Sequence, residues 1–415
     1  MEGSVYTPGA GHSPRVLAGR DLLLRDWHLM LSDVAAAGRV RASDIILVGP
    51  RGVGKTATVT AFAALAREQG FEVISLQAVT GQAGLVHALL QQARARLAEG
   101  VGPWERAKVF FDRISGVDIT VAGVGAGVSI KDREAPAGAT DAGTLAAALA
   151  ALAAEVRKDN PLGGVLVTVD EMQVATGPDL ALLAAVLHRL NVDHPQAAVV
   201  FAGTGLPHTP QALRAAGVTH PDRLFVVEQI PLALAHEDAR YAIIEPARQV
   251  GVLWEPDAAE RIVAVSNGYP AHLQLFADAA WRAAPGPAQV TSADVDAAVP
   301  LAAGQIERRT LGPRWDRISD RQMEFMAALA LLGGQASTAR ISQALGREQR
   351  EISWIREELI GEGDVYAPRR GHLSMTVPLS RDYVLSRYET LRAEAETRLL
   401  TLDEMTANLA PQLRP

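Results

Sequence analysis

Eight consecutive residues, Gly49-Pro-Arg-Gly-Val-Gly-Lys-Thr56, have the types and the spacing to hold a phosphate. Their glycines let a loop wrap an anion with backbone N–H groups pointing inward, and a helix opening at Lys55–Thr56 would add the partial positive charge of its N-terminus. Lys55 brings a mobile ammonium suited to β- and γ-phosphate oxygens, and the Thr56 hydroxyl is a ligand type for Mg2+. The phosphate-binding set expected from this run is Gly49, Pro50, Arg51, Gly52, Val53, Gly54, Lys55, Thr56 and Ala57. A second group lies further on, where Val165-Leu-Val-Thr-Val-Asp170-Glu171 ends an apolar run in two carboxylates. Asp170 suits the Mg2+ shell. Glu171 suits polarisation of a water for in-line attack on a γ-phosphate.

These groups need a frame. Ile45–Val48 reads as a buried strand ending at Gly49, with a helix over Thr56–Gln69 and a break at Gly70. Glu72–Leu76, Val165–Val169, Ala198–Phe201 and Leu224–Val227 read as four further strands. Unbroken Val/Ile/Leu runs suit strands covered on both faces of a parallel sheet, and their alternation with helices predicts a doubly wound α/β domain. Between the second and third strands the spacing predicts helices over Gln82–Ala98 and Trp104–Ile114 and an inserted hairpin at about 115–131. The expected domains are an extended lead-in over 1–14, the P-loop core over 15–230, a helical lid over 231–312, a small unit over 313–388 and a helical tail over 389–415.

Composition narrows the chemistry. The chain has 415 residues, no cysteine and a net charge of -7. Thiolate catalysis, thiolate metal sites and disulfides are therefore excluded, and a general polyanion binder is disfavoured. The histidines are scattered, and no H-E-x-x-H or G-x-S-x-G run occurs. Neither a signal pattern nor a membrane-length apolar stretch is present, so a cytoplasmic protein without a membrane partner is expected. No N-K-x-D motif occurs, which favours ATP over GTP.

The two motifs together resemble the AAA+ ATPases, above all the initiator and origin-recognition branch and the related STAND signalling ATPases, over residues 14–385. The resemblance implies an ATPase that turns ATP and water into ADP and phosphate with Mg2+. It implies further roles residue by residue. Leu17-Ala-Gly-Arg20-Asp21 is similar to the entry segment that lies against the adenine, although the same residues suit a helix start with Asp21 in the first turn. Thr204 in Val199-Val-Phe-Ala-Gly-Thr204 is similar to the polar sensor residue that orients the attacking water; it also suits a turn before Leu206-Pro207. Arg223 stands where such ATPases keep an arginine finger toward a neighbouring subunit, with Arg214 in reserve, which implies a homo-oligomer. The lid departs from the pattern: Gly268-Tyr-Pro-Ala-His272 carries no sensor arginine and is similar to the G-x-P turn of STAND proteins, with Pro270 beside the nucleotide.

Residues from about Ile318 to Leu379 read as three helices and a hairpin, an order similar to a winged helix-turn-helix. Ser319 or Asp320 suits the first cap and Ser337 or Thr338 the second; the third helix spans about Glu348–Ile360, with Trp354 expected in the core. Arg347, Arg350, Arg369 and Arg370 form the expected footprint for duplex DNA. Against it, acids balance arginines between 314 and 382, and Glu348, Glu351, Glu357 and Glu358 lie on or beside the third helix. Phosphate neutralisation dominates DNA affinity, so two readings stand: a DNA-associated oligomeric ATPase, and an ATP/ADP switch acting on a protein partner.

Overall fold

The computed structural model describes residues 3–9, 11–39, 44–80, 84–99, 141–284, 288–377, 380–395 and 398–410. The helix expected at Trp104–Ile114 and the hairpin at about 115–131 lie outside the described residues. The chain divides into two compact units, one of Met1–Arg20, Gly49–Ala57 and Ile230–Pro415, the other of Asp21–Val48 and Thr58–Gln229.

The second unit is a layered α/β body. Its elements, with the one helix that begins just before it, are α1 (Asp21–Ala37), β1 (Asp44–Val48), α2 (Lys55–Glu68), β2 (Phe71–Gln77), α3 (Leu85–Glu99), α4 (Ala142–Asp159), β3 (Gly164–Asp170), α5 (Gly177–Asp193), β4 (Val199–Gly205), α6 (Thr209–Ala215), α7 (Pro221–Leu224) and β5 (Val226–Gln229). The strands pair in the order β2-β3-β4-β1-β5, all parallel. Every residue of β4, and every residue of β3 but Asp170, is buried, as a strand covered on both faces requires. Leu145, Leu149 and Leu152 of α4 and Leu183 and Leu187 of α5 share a core with Val165, Val167 and Phe201. Each such side chain contributes about 1.5–3 kcal/mol on burial. Trp27 of α1 stacks on Phe62 of α2 at 4.2 Å between ring centroids. Asp141 and Thr176 cap α4 and α5 with their side-chain oxygens. At the starting edge of the sheet a buried ion pair joins Arg39 to Asp44. Arg39 also donates to Asn191 Oδ1 (2.6 Å) and to the Val199 carbonyl (2.7 Å), while Asp44 accepts from the Phe201 amide at 3.0 Å.

β4 runs past the apolar Ala198–Phe201 through Thr204, as the resemblance implied, to Gly205, whereas β5 begins two residues late because Pro221–Leu224 turns as a short helix. The glycines of β4 are there for room. A Cβ at Gly203 would lie 2.3 Å from Met172 Sδ, and one at Gly205 2.1 Å from Thr209 Oγ1.

The other unit is mainly helical: α8 (His236–Arg248), β6 (Leu253–Trp254), α9 (Pro256–Ser266), α10 (Pro270–Ala283), β7 (Gln289–Val290), α11 (Ser292–Ile306), α12 (Gly312–Trp315), α13 (Asp320–Leu331), β8 (Gln335–Ser337), α14 (Thr338–Ala344), α15 (Ser353–Glu362), β9 (Val365–Tyr366), β10 (His372–Met375), α16 (Ser380–Glu394) and α17 (Leu402–Leu409). The lid over 231–312 was expected to be helical, yet β6 and β7 within it form a short parallel pair. The first residues are not a free lead-in either. Val5 and Tyr6 are buried in this unit's core. The Tyr6 hydroxyl donates to the Ile243 carbonyl (2.6 Å) and accepts from Trp254 Nε1 (2.8 Å).

In the C-terminal part, β8, β10 and β9 form a three-stranded antiparallel sheet beside α13, α14 and α15. Ser319 caps α13 in a reciprocal box with Gln322, and Ser337 caps α14. The core is continuous from α8–α11 through Ile306, Leu311 and Trp315 to Phe325, Leu359, Tyr383 and Tyr388. Glu324 is fully buried; it pairs with Arg321 (3.1 Å) and Arg347 (2.7 Å) and accepts from the Leu400 amide (2.8 Å). The tail is part of this body. Met405 of α17 is buried, and Asn408 bonds the Ala344 carbonyl at 2.9 Å.

Candidate nucleotide-binding site

The phosphate loop joins β1 to α2, and two of its glycines, Gly52 (φ 76°) and Gly54 (φ 91°), adopt left-handed backbone that a Cβ would strain. A Cβ at Gly54 would meet nothing within 4 Å, so the loop is open on that side. Lys55 is buried and folds back over its own loop: Nζ donates to the carbonyls of Gly49 (3.0 Å) and Pro50 (2.8 Å). Val53 and Pro50 are buried, Thr56 and Ala57 are half-buried, and Arg51 is exposed. The buried Arg20 donates from Nη2 to the Val53 carbonyl (3.1 Å) and from Nη1 to Gly19 (2.9 Å), which ties the entry segment to the loop. Burial pulls its pKa down and Asp238 works against that shift. Its Nε has no hydrogen-bond partner among the described residues.

Within the same unit the lid turn reaches the loop from outside. Tyr269, the residue before α10, donates its hydroxyl to the Arg51 carbonyl at 2.5 Å, and the Ala271 amide donates to the Gly52 carbonyl at 3.2 Å. Pro270, expected beside the nucleotide, opens α10 between these two bonds. The turn Gly268–Pro270 was expected at the nucleotide; what motif reasoning missed is that Tyr269 and Ala271 bond the loop carbonyls directly. His272 is buried with its ring edge-on to Tyr269 and Phe276. Burial lowers its pKa to about 4, and its Nδ1 has no hydrogen-bond partner among the described residues.

The carboxylates stand at the carboxyl ends of parallel strands, the side of such sheets where ligands bind. Register places Val48 of β1 beside Gly205 of β4, and Gly203 of β4 beside Val169 of β3. Asp170 therefore closes β3 at the same edge from which the phosphate loop departs in sequence. The Thr204 hydroxyl, fully buried, donates to Asp170 Oδ1. Glu171 is one of two described non-glycine residues with positive φ, at φ 57° and ψ 42°, a conformation that costs roughly 1–2 kcal/mol. Its amide bonds Asp170 Oδ1 (3.0 Å) and Thr204 Oγ1 (3.2 Å). This residue turns the chain from β3 into the single helical turn Met172–Val174, whose first side chain, Met172, is fully buried. The structure thus brings Asp170, Glu171 and Thr204 together, and separately Arg20, Gly49–Lys55 and the Pro270 turn. Arg223, in α7, and Arg214, in α6, are both exposed and form no ion pair with a described residue.

The proposed DNA footprint is altered. Arg347 is held by the buried Glu324. Arg350 pairs with Glu348, and Arg369 bonds His372 at 2.9 Å. Trp354, expected in the core, is 48% exposed, because α15 buries Ile355 and Leu359, four residues apart on one face, and leaves Trp354 off that face.

A glycine-rich loop between β1 and α2, with paired carboxylates at the end of β3, is the residue pattern of P-loop nucleotide-binding domains. Residues 16–200 match the family model described as an AAA ATPase domain, and residues 308–384 match one described as a domain of unknown function. No curated protein matches the chain in sequence. Among solved structures the chain is similar in fold to a Walker-type ATPase of Pyrococcus abyssi, at 15% identity and a TM-score of 0.55, covering 89% of this chain and 96% of that one. It is similar also to the ORC2 protein of Aeropyrum pernix in its ADPNP–ADP complexes, at 15% identity and a TM-score of 0.55, covering 94% of this chain and 99% of that one. The ADP form of the same protein gives a TM-score of 0.51 at 15% identity, covering 98% and 100%. The match to the AAA ATPase domain model thus takes in α1 to the start of β4. No helix among the described residues is long and apolar enough to cross a membrane.

Proposed function

We propose that this chain binds ATP, hydrolyses it to ADP and phosphate, and uses the nucleotide state to move its lid and, with the lid, a C-terminal winged helix. The observation that carries the reading is the pair of bonds from Tyr269 and Ala271 to the carbonyls of Arg51 and Gly52. A loop that re-forms around a γ-phosphate changes the carbonyls on which the lid rests. The lid core is continuous with that of the winged helix, so a shift of α10 is passed on by packed side chains rather than by a hinge.

Lys55 and the amides of the loop bind the phosphates, and the lysine leaves its present carbonyl partners to do so. Thr56, in the first turn of α2, and Asp170, the last residue of β3, are the residue types that would hold a phosphate-bound divalent cation. Mg2+ bound there supplies charge neutralisation on the phosphate oxygens. Glu171 takes the proton of the attacking water, and Thr204 orients that water while holding Asp170. The relatives of known structure include a protein complexed with ADPNP and ADP, which supports a nucleotide-responsive role.

The output is open to two partners. Arg350, Arg369, Arg370 and an oligomer completed by Arg223 support a DNA-associated ATPase. One observation favours a protein partner instead: Arg347 is committed to Glu324, and the outer face of α15 presents Trp354, Glu357 and Glu358. An open groove of about 580 Å3 lies against that face between Arg317, Gln322, Trp354 and Glu362. Steady-state ATP hydrolysis with and without duplex DNA at low salt, with Glu171→Gln as the blank, decides the matter. Stimulation by DNA that vanishes in the blank supports the DNA-associated reading. Slow turnover indifferent to DNA supports the protein-directed switch. Turnover surviving in the blank refutes the role of Glu171.

A further inference from the structure

Gln173 belongs to no motif, yet it touches both halves of the strand-end cluster. Its Nε2 donates to Glu171 Oε2. Its Oε1 accepts from the Leu206 amide at 3.1 Å. The orientation of this side-chain amide is dictated by its partners: an N–H can face only the oxygen, and a carboxylate can face only the NH2. Leu206 is buried and follows β4 directly, one residue past Gly205 and two past Thr204. One amide therefore spans from the end of β3 to the end of β4, with its donor on the carboxylate and its acceptor on the backbone.

This link answers a need created by Glu171. The left-handed backbone there is held through its amide by Asp170 and Thr204, but those bonds leave the side-chain torsions free. The bond from Gln173 removes that freedom and refers the carboxylate to the strand that carries Thr204. It occupies Oε2 and leaves Oε1 to accept from a water.

We propose that Gln173 is a positioning residue for hydrolysis: it fixes the Glu171 carboxylate relative to Thr204, and so the base relative to the water that Thr204 orients. The proposal rests on the reading of Glu171 as the group that activates water. A misplacement of about 1 Å in such a group costs on the order of a hundredfold in rate, so loss of one of its restraints is felt in turnover and not in binding.

The test uses the full-length chain, with turnover at saturating ATP and the ATP dissociation constant measured separately. Gln173→Ala lowers kcat about tenfold or more and leaves the dissociation constant within about twofold. Gln173→Glu keeps the acceptor for the Leu206 amide but loses the donor and sets a carboxylate against Glu171; it lowers kcat at least as far. Were Gln173→Glu to match the parent while Gln173→Ala fell, Gln173 would merely brace Leu206, and the proposal would be overturned. Turnover equal to or above the parent in both variants overturns it, as does a loss of ATP affinity as large as the loss of rate. Glu171→Gln, measured alongside, separates the two ideas: surviving turnover there refutes the role of Glu171 itself, whereas an inactive Glu171→Gln with unimpaired Gln173 variants refutes only the positioning role.

Discussion

Gly52 and Gly54 differ in one respect that makes a sharp comparison. Both hold left-handed backbone, at φ 76° and 91°, so alanine at either position costs roughly 1–2 kcal/mol in backbone strain. At Gly54 the new methyl meets open space. At Gly52 it would sit 2.2 Å from Tyr269 Oη, 2.8 Å from Tyr269 Cζ and 3.0 Å from Ala271 Cβ. The tyrosine must swing away, and its bond to the Arg51 carbonyl, worth about 1 kcal/mol, goes with it. Overpacking adds about 1–2 kcal/mol more. Gly52→Ala should therefore be destabilised by about 2–3 kcal/mol beyond Gly54→Ala, roughly 4–12 °C in melting temperature for a unit of this size. The assay is thermal unfolding of the nucleotide-free protein, followed by tryptophan fluorescence. In a Tyr269→Ala background the excess should shrink to a few tenths of a kcal/mol or vanish, since the obstacle is gone. Equal melting temperatures for the two variants, or an excess that persists in that background, would refute the docking of the lid turn on the phosphate loop.

Three further outcomes are expected. Asp44→Ala strands the buried Arg39 guanidinium and should cost about 3–5 kcal/mol in chemical denaturation, whereas the exposed pair Arg189–Asp193 can be broken for under about 1 kcal/mol. The His272 pKa lies near 4 in the folded chain, below its ordinary 6.5. Folding thus favours the neutral ring: stability is complete above about pH 6.5 and falls as pH drops toward 4, by about 3 kcal/mol at most, and His272→Phe should flatten that part of the stability profile. Glu324→Ala frees Arg347 and the Leu400 amide together, so the tail should become a protease target and stability should fall by about 3 kcal/mol, read by limited proteolysis and urea unfolding.

Both chemical motifs and the strand frame were legible because they depend on local rules. Unbroken apolar runs mark β1, β3 and the first half of β4, and the glycine spacing marks the phosphate loop. What was not legible depends on partners distant in sequence. Gly203 and Gly205 look like turn residues, but they are strand residues that make room for Met172 and Thr209. Tyr6 sits in a Gly/Pro/Ser-rich run that composition reads as a loose lead-in, yet Trp254 and Trp281 pack edge-on against its ring at 6.1 and 5.9 Å. Arg347 looked available to phosphate because nothing in its neighbourhood reveals that Glu324 lies buried behind it. Gln173 carries no signal at all until Leu206 is brought next to it.

The anchoring of Tyr6 has a consequence for how the chain is made. Its hydroxyl partners lie 237 and 248 residues downstream. On a ribosome, Tyr6 must therefore wait for 237 further residues before its first hydroxyl partner is made. The phosphate loop shares that wait, because the carbonyls of Arg51 and Gly52 are met by Tyr269 and Ala271. The α/β body, whose strands are complete by Gln229, can assemble first. Synthesis arrested anywhere before residue 250 should leave Tyr6 and the loop without their long-range partners, exposed to chaperones and to premature cleavage near the amino terminus.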